Sequence, residues 1–97
     1  MMTTAVTRSD ERGRYELEVD GQLAGVAEFR LRSGRIVFTH TEIADAYEGR
    51  GLGSTLAEAA LNDAASRGET IVPLCPFIAR YLQRHEIPDA EVDWPAA

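Results

Sequence analysis

The segment Glu48-Gly49-Arg50-Gly51-Leu52-Gly53-Ser54 sets a glycine at every second position, between a β-branched run and a helical one. Glycines let a chain turn sharply and bring its backbone close to another group. Successive amides can then converge, and a helix starting there adds unsatisfied first-turn N–H groups and the positive end of its dipole. Holding a phosphate is the chemistry this suits. Read alone, the same residues serve equally as a glycine-rich turn that only caps a helix.

Cys75 lies between Leu74 and Pro76, just ahead of a predicted helix, where the dipole favours a thiolate and raises its reactivity. The alternative for a lone cysteine is a small buried apolar residue. His40 lies late in a β-branched and aromatic run, and imidazole is the side chain suited near neutrality to taking a proton from a reacting group. Alternation along that run puts His40 on the face of Ile36 and Phe38, with Glu42 beside it. A satisfied, partly buried histidine is the other reading. Glu42 is either an assisting base or a solvated strand-end carboxylate.

Two familiar nucleotide loops are excluded. A Walker loop needs Gly-Lys-Ser/Thr and the chain has no lysine. The dinucleotide fingerprint needs a third glycine where Ser54 stands, and a parallel sheet that the upstream pattern does not support. The net charge of −6 disfavours binding to nucleic acid, which rewards clustered Lys and Arg. It hints instead at a cationic acceptor such as an amine or polyamine. Cys75 stands alone, so neither an internal disulfide nor a thiolate cluster is expected, and no metal site is.

These residues need elements to hold them. At 97 residues the chain supports one domain, expected over 14–95, with 1–13 as a flexible terminus. The opening residues carry Arg8, Asp10, Glu11, Arg12 and Arg14 in place of an apolar signal core, so a cytoplasmic location is expected. No apolar run approaches the roughly 18 residues of a membrane span. Tyr15, Leu17 and Val19 alternate with Glu16 and Glu18, the period of a half-buried strand, and Asp20-Gly21 supplies a hairpin turn. A second strand runs from Leu23 to Leu31, and a third from Arg35 to about Ile43 after Arg32-Ser33-Gly34. The three form an antiparallel meander.

Leu52, Leu56, Ala59 and Ala60 recur at helical spacing, widened by Leu61, Ala64 and Ala65, with Gly68 as the stop; the helix spans about Gly51 to Arg67. Thr70 to Leu74 is a short buried strand returning beside the third. Pro76 opens a second helix with Phe77, Ile78, Tyr81 and Leu82 on its apolar face, ended by about Glu86 ahead of Pro88. Asp89, Glu91 and Asp93 read as a solvated tail, with Val92 and Trp94 docking on the core.

Three segments carry a resemblance. His40-Thr41-Glu42-Ile43, Glu48 to Ser54, and Pro73-Leu74-Cys75-Pro76-Phe77 with Ala79-Arg80-Tyr81 and His85 together resemble a subfamily of stand-alone domains of roughly 100 residues within the GCN5-related N-acetyltransferases. The similarity covers about Gly13 to His85. Arg50-Gly51-Leu52-Gly53 fits the glycine half of that superfamily's acyl-CoA loop. Glu48 stands where Gln or Arg is usual, although in the small subfamily an acidic residue there is common.

The resemblance implies an α+β fold of the minimal acyl-CoA N-acyltransferase type, with a three-strand meander, a splayed fourth strand and two main helices. It implies acetyl-CoA as cofactor, its pantetheine arm in the splay against the backbone of Glu42, Ile43 and Ala44. The pyrophosphate would meet Glu48, Gly49, Arg50, Gly51, Leu52, Gly53 and Ser54, with Pro76, Phe77 and Arg80 also on the cofactor. The implied activity is acetyl transfer to an amine acceptor, a small amine or a protein lysine, by a monomer or weak homodimer that engages neither nucleic acid nor membrane.

Cys75, His40, Glu42 and Tyr81 are the catalytic candidates. Cys75 would form a transient acetyl-cysteine or polarise the thioester. Tyr81 resembles the tyrosine that protonates the leaving thiolate in many relatives, or simply packs in the core. Arg80 and Arg84 either reach CoA phosphates or solvate their helix, and His85 caps its end. The helices usually inserted between the first two strands are missing, which leaves the acceptor open. A CoA-binding module with little chemistry and a plain interaction domain are the other readings.

Overall fold

Tyr15, Leu17 and Val19 are buried while Glu18 is exposed, so the alternation of the sequence becomes a one-sided strand, β2 (Arg14–Val19). The computed structural model describes residues 2–95. Asp20 and Gly21 both take positive φ, 50° and 84°, the turn whose twist matches a tight hairpin, and lead into β3 (Gln22–Arg32). Ser33 and Gly34 repeat the device, at 48° and 80°, before β4 (Arg35–Ile43).

One strand precedes these. Thr4–Ser9 form β1, paired antiparallel with β2 from Thr4↔Val19 to Ser9↔Arg14. The expectation of a loose terminus over 1–13 therefore does not describe Thr4–Ser9. The segment is too polar to declare itself, and what holds it is non-local: the Arg8 guanidinium forks onto Glu69, Nη1 to Oε1 at 2.7 Å and Nη2 to Oε2 at 2.8 Å.

After β4 come a single 3-10 turn (Asp45–Tyr47), α1 (Leu52–Ser66), β5 (Thr70–Pro73), α2 (Pro76–Arg84) and β6 (Glu91–Val92). The six strands among the described residues lie in sequence order in one sheet, with β5 parallel to β4 and β6 parallel to β5. The tail is thus part of the sheet through Glu91 and Val92. Trp94 does not dock; it is 47% exposed. Helix α2 ends at Arg84 rather than Glu86, because His85 is already extended, with its N–H on the Tyr81 carbonyl.

Leu52, Leu56, Ala57, Ala60, Leu61 and Ala64 of α1 and Ile78 of α2 join one buried cluster with Tyr15, Leu17, Phe29, Ile36, Phe38 and Ile71. Both helices therefore cover the same face of the sheet. The other face, which carries Glu28, Arg30, Val37 and Val72, has no element over it among the described residues. No helix among them is long and apolar enough to cross a membrane.

Candidate functional site

The site begins where β4 and β5 part. Their parallel pairing runs from Arg35↔Thr70 to Phe38↔Pro73, and the last bond between them is the Cys75 N–H on the Phe38 carbonyl at 2.9 Å. Beyond it the edge of Thr39–Ile43 that faces away from β3 has no strand partner. The cause is in the register. Phe29 pairs with Phe38 but Glu28 with His40, so Thr39 is an extra residue, a β-bulge that bends β4 away from β5.

The bulge also reverses the phase of the strand. Ile36 and Phe38 face the core before it, whereas after it Thr41 and Ile43 are half-buried and His40 and Glu42 exposed. His40 and Glu42 therefore do not share the face of Ile36 and Phe38, as simple alternation predicts. They share a face with each other: His40 Nε2 stands 3.4 Å from Glu42 Oε1, with their side chains 55% and 70% exposed. Thr41, which the sequence did not single out, sets its Oγ1 3.4 Å from Cys75 Sγ.

Gly25 on β3 fixes this part of β4. A Cβ there would lie 2.9 Å from the Glu42 carbonyl oxygen and 2.5 Å from Ile43 Cδ1, so only glycine permits the approach. The Ala44 N–H then donates to the Ala24 carbonyl at 2.8 Å and ties the end of the strand to β3.

The loop that follows leaves its amides free. Among the described residues no protein acceptor meets the backbone N–H groups from Gly49 to Ser54; the first bond of α1 is Thr55 N–H to the Gly51 carbonyl at 3.3 Å. Gly51 caps α1 in the left-handed conformation, φ 72°, with no side-chain hydrogen bond, and Gly49 has φ 79°. A Cβ on either would meet nothing within 4 Å, so the loop borders open space. Gly53 is glycine for a different reason, since its Cβ would fall 2.9 Å from Phe77 Cζ where α2 packs on α1.

A pocket of about 430 Å³ joins these pieces, lined by His40, Thr41, Glu42 and Ile43 on one side and by Tyr47, Glu48, Gly49, Gly51, Leu52 and Gly53 on the other. Nothing in the sequence neighbourhood of Tyr47 marks it as a pocket wall. Its ring lies 5.8 Å from the Arg50 guanidinium. A hydrogen bond with Asp45 holds the Glu48 carboxyl above its ordinary range, and the nearby Asp45 charge adds to this.

Other candidates sit apart. Ser54, Phe77, Arg80 and Tyr81 line a separate recess between the helices with Arg84 and His85. Tyr81 stacks on His85, ring centroids 4.2 Å apart, and its hydroxyl donates to Glu58 Oε2 at 3.4 Å. Burial, and then the Glu58 charge, hold its phenol above the ordinary value. Ala44 borders a shallow recess near Gly25. Cys75 is the N-cap of α2, with Pro76 opening the helix, and only 4% of its surface is exposed.

The arrangement unites an unpaired strand edge, a run of free amides at a helix start and a thiol at the root of the gap between them. No curated protein matches the chain. A family model described as GCN5-related N-acetyl-transferase matches residues 14–91, from the start of β2 to the start of β6 and across the whole site. The chain belongs to the GCN5-related N-acetyltransferase family.

Proposed function

We propose that the protein binds acetyl-CoA in the pocket between β4 and the loop before α1, and transfers the acetyl group to an amine. The observation that carries this reading is the run of free amides from Gly49 to Ser54 opening on the same pocket as the unpaired Thr39–Ile43 edge. Amides without acceptors at a helix start suit a pyrophosphate, and an unpaired strand edge suits the amide groups of a pantetheine arm. Bound there, the cofactor supplies an activated thioester.

The residues of the chain do the rest. Gly49 to Ser54 hold the phosphates, with Arg50 at the rim, and the unpaired edge of β4 up to Ile43 lays out the arm; Ala44, whose N–H and carbonyl are already bonded to Ala24 and Tyr47, only anchors that edge. His40, supported by Glu42, takes the proton that the acceptor nitrogen must lose. Thr41 lines the pocket, and the Cys75 thiol, buried behind it with Sγ 3.4 Å from its Oγ1, backs that hydroxyl at the root of the gap. Tyr81 is turned toward Glu58 and His85, and that placement favours a second reading, a CoA-binding module with little chemistry.

Calorimetric titration with acetyl-CoA tests the binding; absence of a heat signal at millimolar ligand would reject it. Release of free thiol over a panel of amines then separates the transferase from the module. In the transferase, Cys75→Ala is expected to lower kcat about tenfold or more while leaving the CoA affinity within about twofold. An unchanged rate would remove Cys75 from the chemistry.

Glu48 gives a test by pH. Its raised carboxyl has the sign of a group whose ionisation beside Asp45 is unfavourable: that penalty is absent below the ordinary carboxylate range and sets in as pH rises through the raised one. Lowering the pH from neutrality toward that range therefore removes negative charge from the loop and strengthens CoA binding. Glu48→Gln is expected to bind CoA about threefold more tightly at neutral pH, with a flatter pH dependence. Identical pH profiles by calorimetry would exclude the carboxylate from the phosphate site.

A further inference from the structure

The uncovered face of the sheet carries a second cleft, of about 810 Å³, that reaches the same gap from the side opposite the helices. Arg30, Arg32 and Arg35 form one end, and Val37, Val72 and Leu74 line the way to Thr39, the bulged residue at the gap. Leu74 is 52% exposed and directly precedes Cys75.

The charges on this face are unusual for the chain. Its net charge is −6, yet three of its ten cationic residues gather here. Arg32 lies directly opposite Arg35 across β3 and β4, a like-charge pairing that weakens a sheet. Among the described residues Arg35 finds only an exposed partner, Asp93 at 3.5 Å, and no carboxylate bridges Arg30 or Arg32. Three guanidinium groups with one carboxylate among them, Asp93 at the rim of the cleft, keep a positive excess that is complementary to a carboxylate or phosphate.

From the geometry we infer that this cleft is the acceptor site, and that the acceptor is an amine joined by an apolar stem to an anionic group. The inference rests on the acetyl-CoA reading and names its substrate class. A two-substrate transfer needs two approaches to one gap, and the loop pocket occupies the helix-side end. Arg30 sits across from Val37, and Val37 from Val72. From that row to the gap beyond Phe38 is about two strand residues, roughly 7 Å. An acceptor that anchors its anion on Arg30 and Arg32 and lays its stem over Val37, Val72 and Leu74 brings its nitrogen to the gap. The overall acidity of the chain favours a polyamine; the local charge at the arginine end of the cleft reverses that preference.

The test uses the full chain saturated with CoA at low salt. The backbone amide shifts of Val37, Val72 and Leu74 are followed while ε-aminocaproate, aminohexyl phosphate or hexylamine is added. At least one of the two anionic amines is expected to bind about tenfold more tightly than hexylamine, and the stronger one identifies the anion. In Arg30→Ser/Arg32→Ser the advantage disappears while CoA affinity is unchanged. Equal affinity for all three amines, shifts confined to Glu48–Ser54, or weakened CoA binding in the double variant would each overturn the inference. Failure of CoA itself to bind rejects the underlying reading instead, and the titration without amine reports that separately.

Discussion

Replacing Arg8 by alanine is expected to lower the free energy of unfolding by about 2 kcal/mol, between the small worth of an exposed pair and the cost of removing one partner of a buried one, because the fork is part-buried. The Arg8 side chain is 5% exposed and forks onto Glu69. Its Nη1 also donates to the Tyr15 hydroxyl at 3.2 Å, and that hydroxyl donates to Asp63 Oδ2 at 2.6 Å. The guanidinium lies 5.0 Å from the Phe29 ring centroid and 5.6 Å from that of Tyr15. One side chain on β1 thus touches groups from β2, β3, α1 and the turn before β5. Its loss strands Glu69, which is 18% exposed, without its cation.

For a domain of this size the change corresponds to a Tm lower by about 8 °C or more. Arg8→Lys should recover only part of it, because an ammonium cannot make the fork. Thermal or denaturant unfolding measures both variants. A loss below about 0.5 kcal/mol would reduce the fork to an ordinary surface pair. The same network has an alkaline limit. Burial, and then the bond to Asp63, hold the Tyr15 phenol above its ordinary value. The stability of the neutral phenol is full below the ordinary phenol range and is lost as pH rises through the raised one.

Gly51→Asp should weaken CoA binding about 100-fold while the chain still folds. At φ 72° a side chain costs about 1 kcal/mol, and aspartate is among the residues that tolerate this conformation best. The added Cβ meets nothing within 4 Å, so no packing is disturbed. Its carboxylate, however, stands among the amides from Gly49 to Ser54 and supplies them with an anion of its own. Like charges about 4 Å apart near a protein surface repel by up to about 4 kcal/mol before screening, and a 100-fold loss requires about 2.7 kcal/mol. Gly51→Asn reproduces the size and backbone without the charge, and should lose no more than about fivefold. Calorimetry reads both. If Gly51→Asp binds CoA as the parent does, the amides are not the phosphate cradle.

The sequence announced whatever depends on near neighbours. Alternation at Tyr15, Leu17 and Val19, the turns at Asp20-Gly21 and Ser33-Gly34, the apolar stripe of α1 and the proline opening α2 all act within a few residues, and all appear in the structure. The glycine loop was legible as well, although its three glycines serve two purposes: Gly49 and Gly51 for their backbone angles, Gly53 for Phe77. What escaped depends on distant partners. Thr4–Ser9 became a strand through β2 and Glu69, and Val92 through β5. The face of His40 escaped because a bulge is a property of two strands together, and no pattern in Arg35–Ile43 reveals that Thr39 is surplus to the register.

That surplus residue gives β4 a reading frame. Upstream of Thr39 the strand is read core-first on even-numbered residues, and downstream on odd-numbered ones, so sequence on the two sides obeys opposite rules. Substitutions near the gap are local events, but a gain or loss of one residue between Phe38 and Ile43 exchanges the surfaces on which His40 and Thr41 lie. It would send a carboxylate and an imidazole into the core and lift the Thr41 hydroxyl away from Cys75. The number of residues from Phe38 to the glycine loop therefore constrains this strand more tightly than the identity of any one of them.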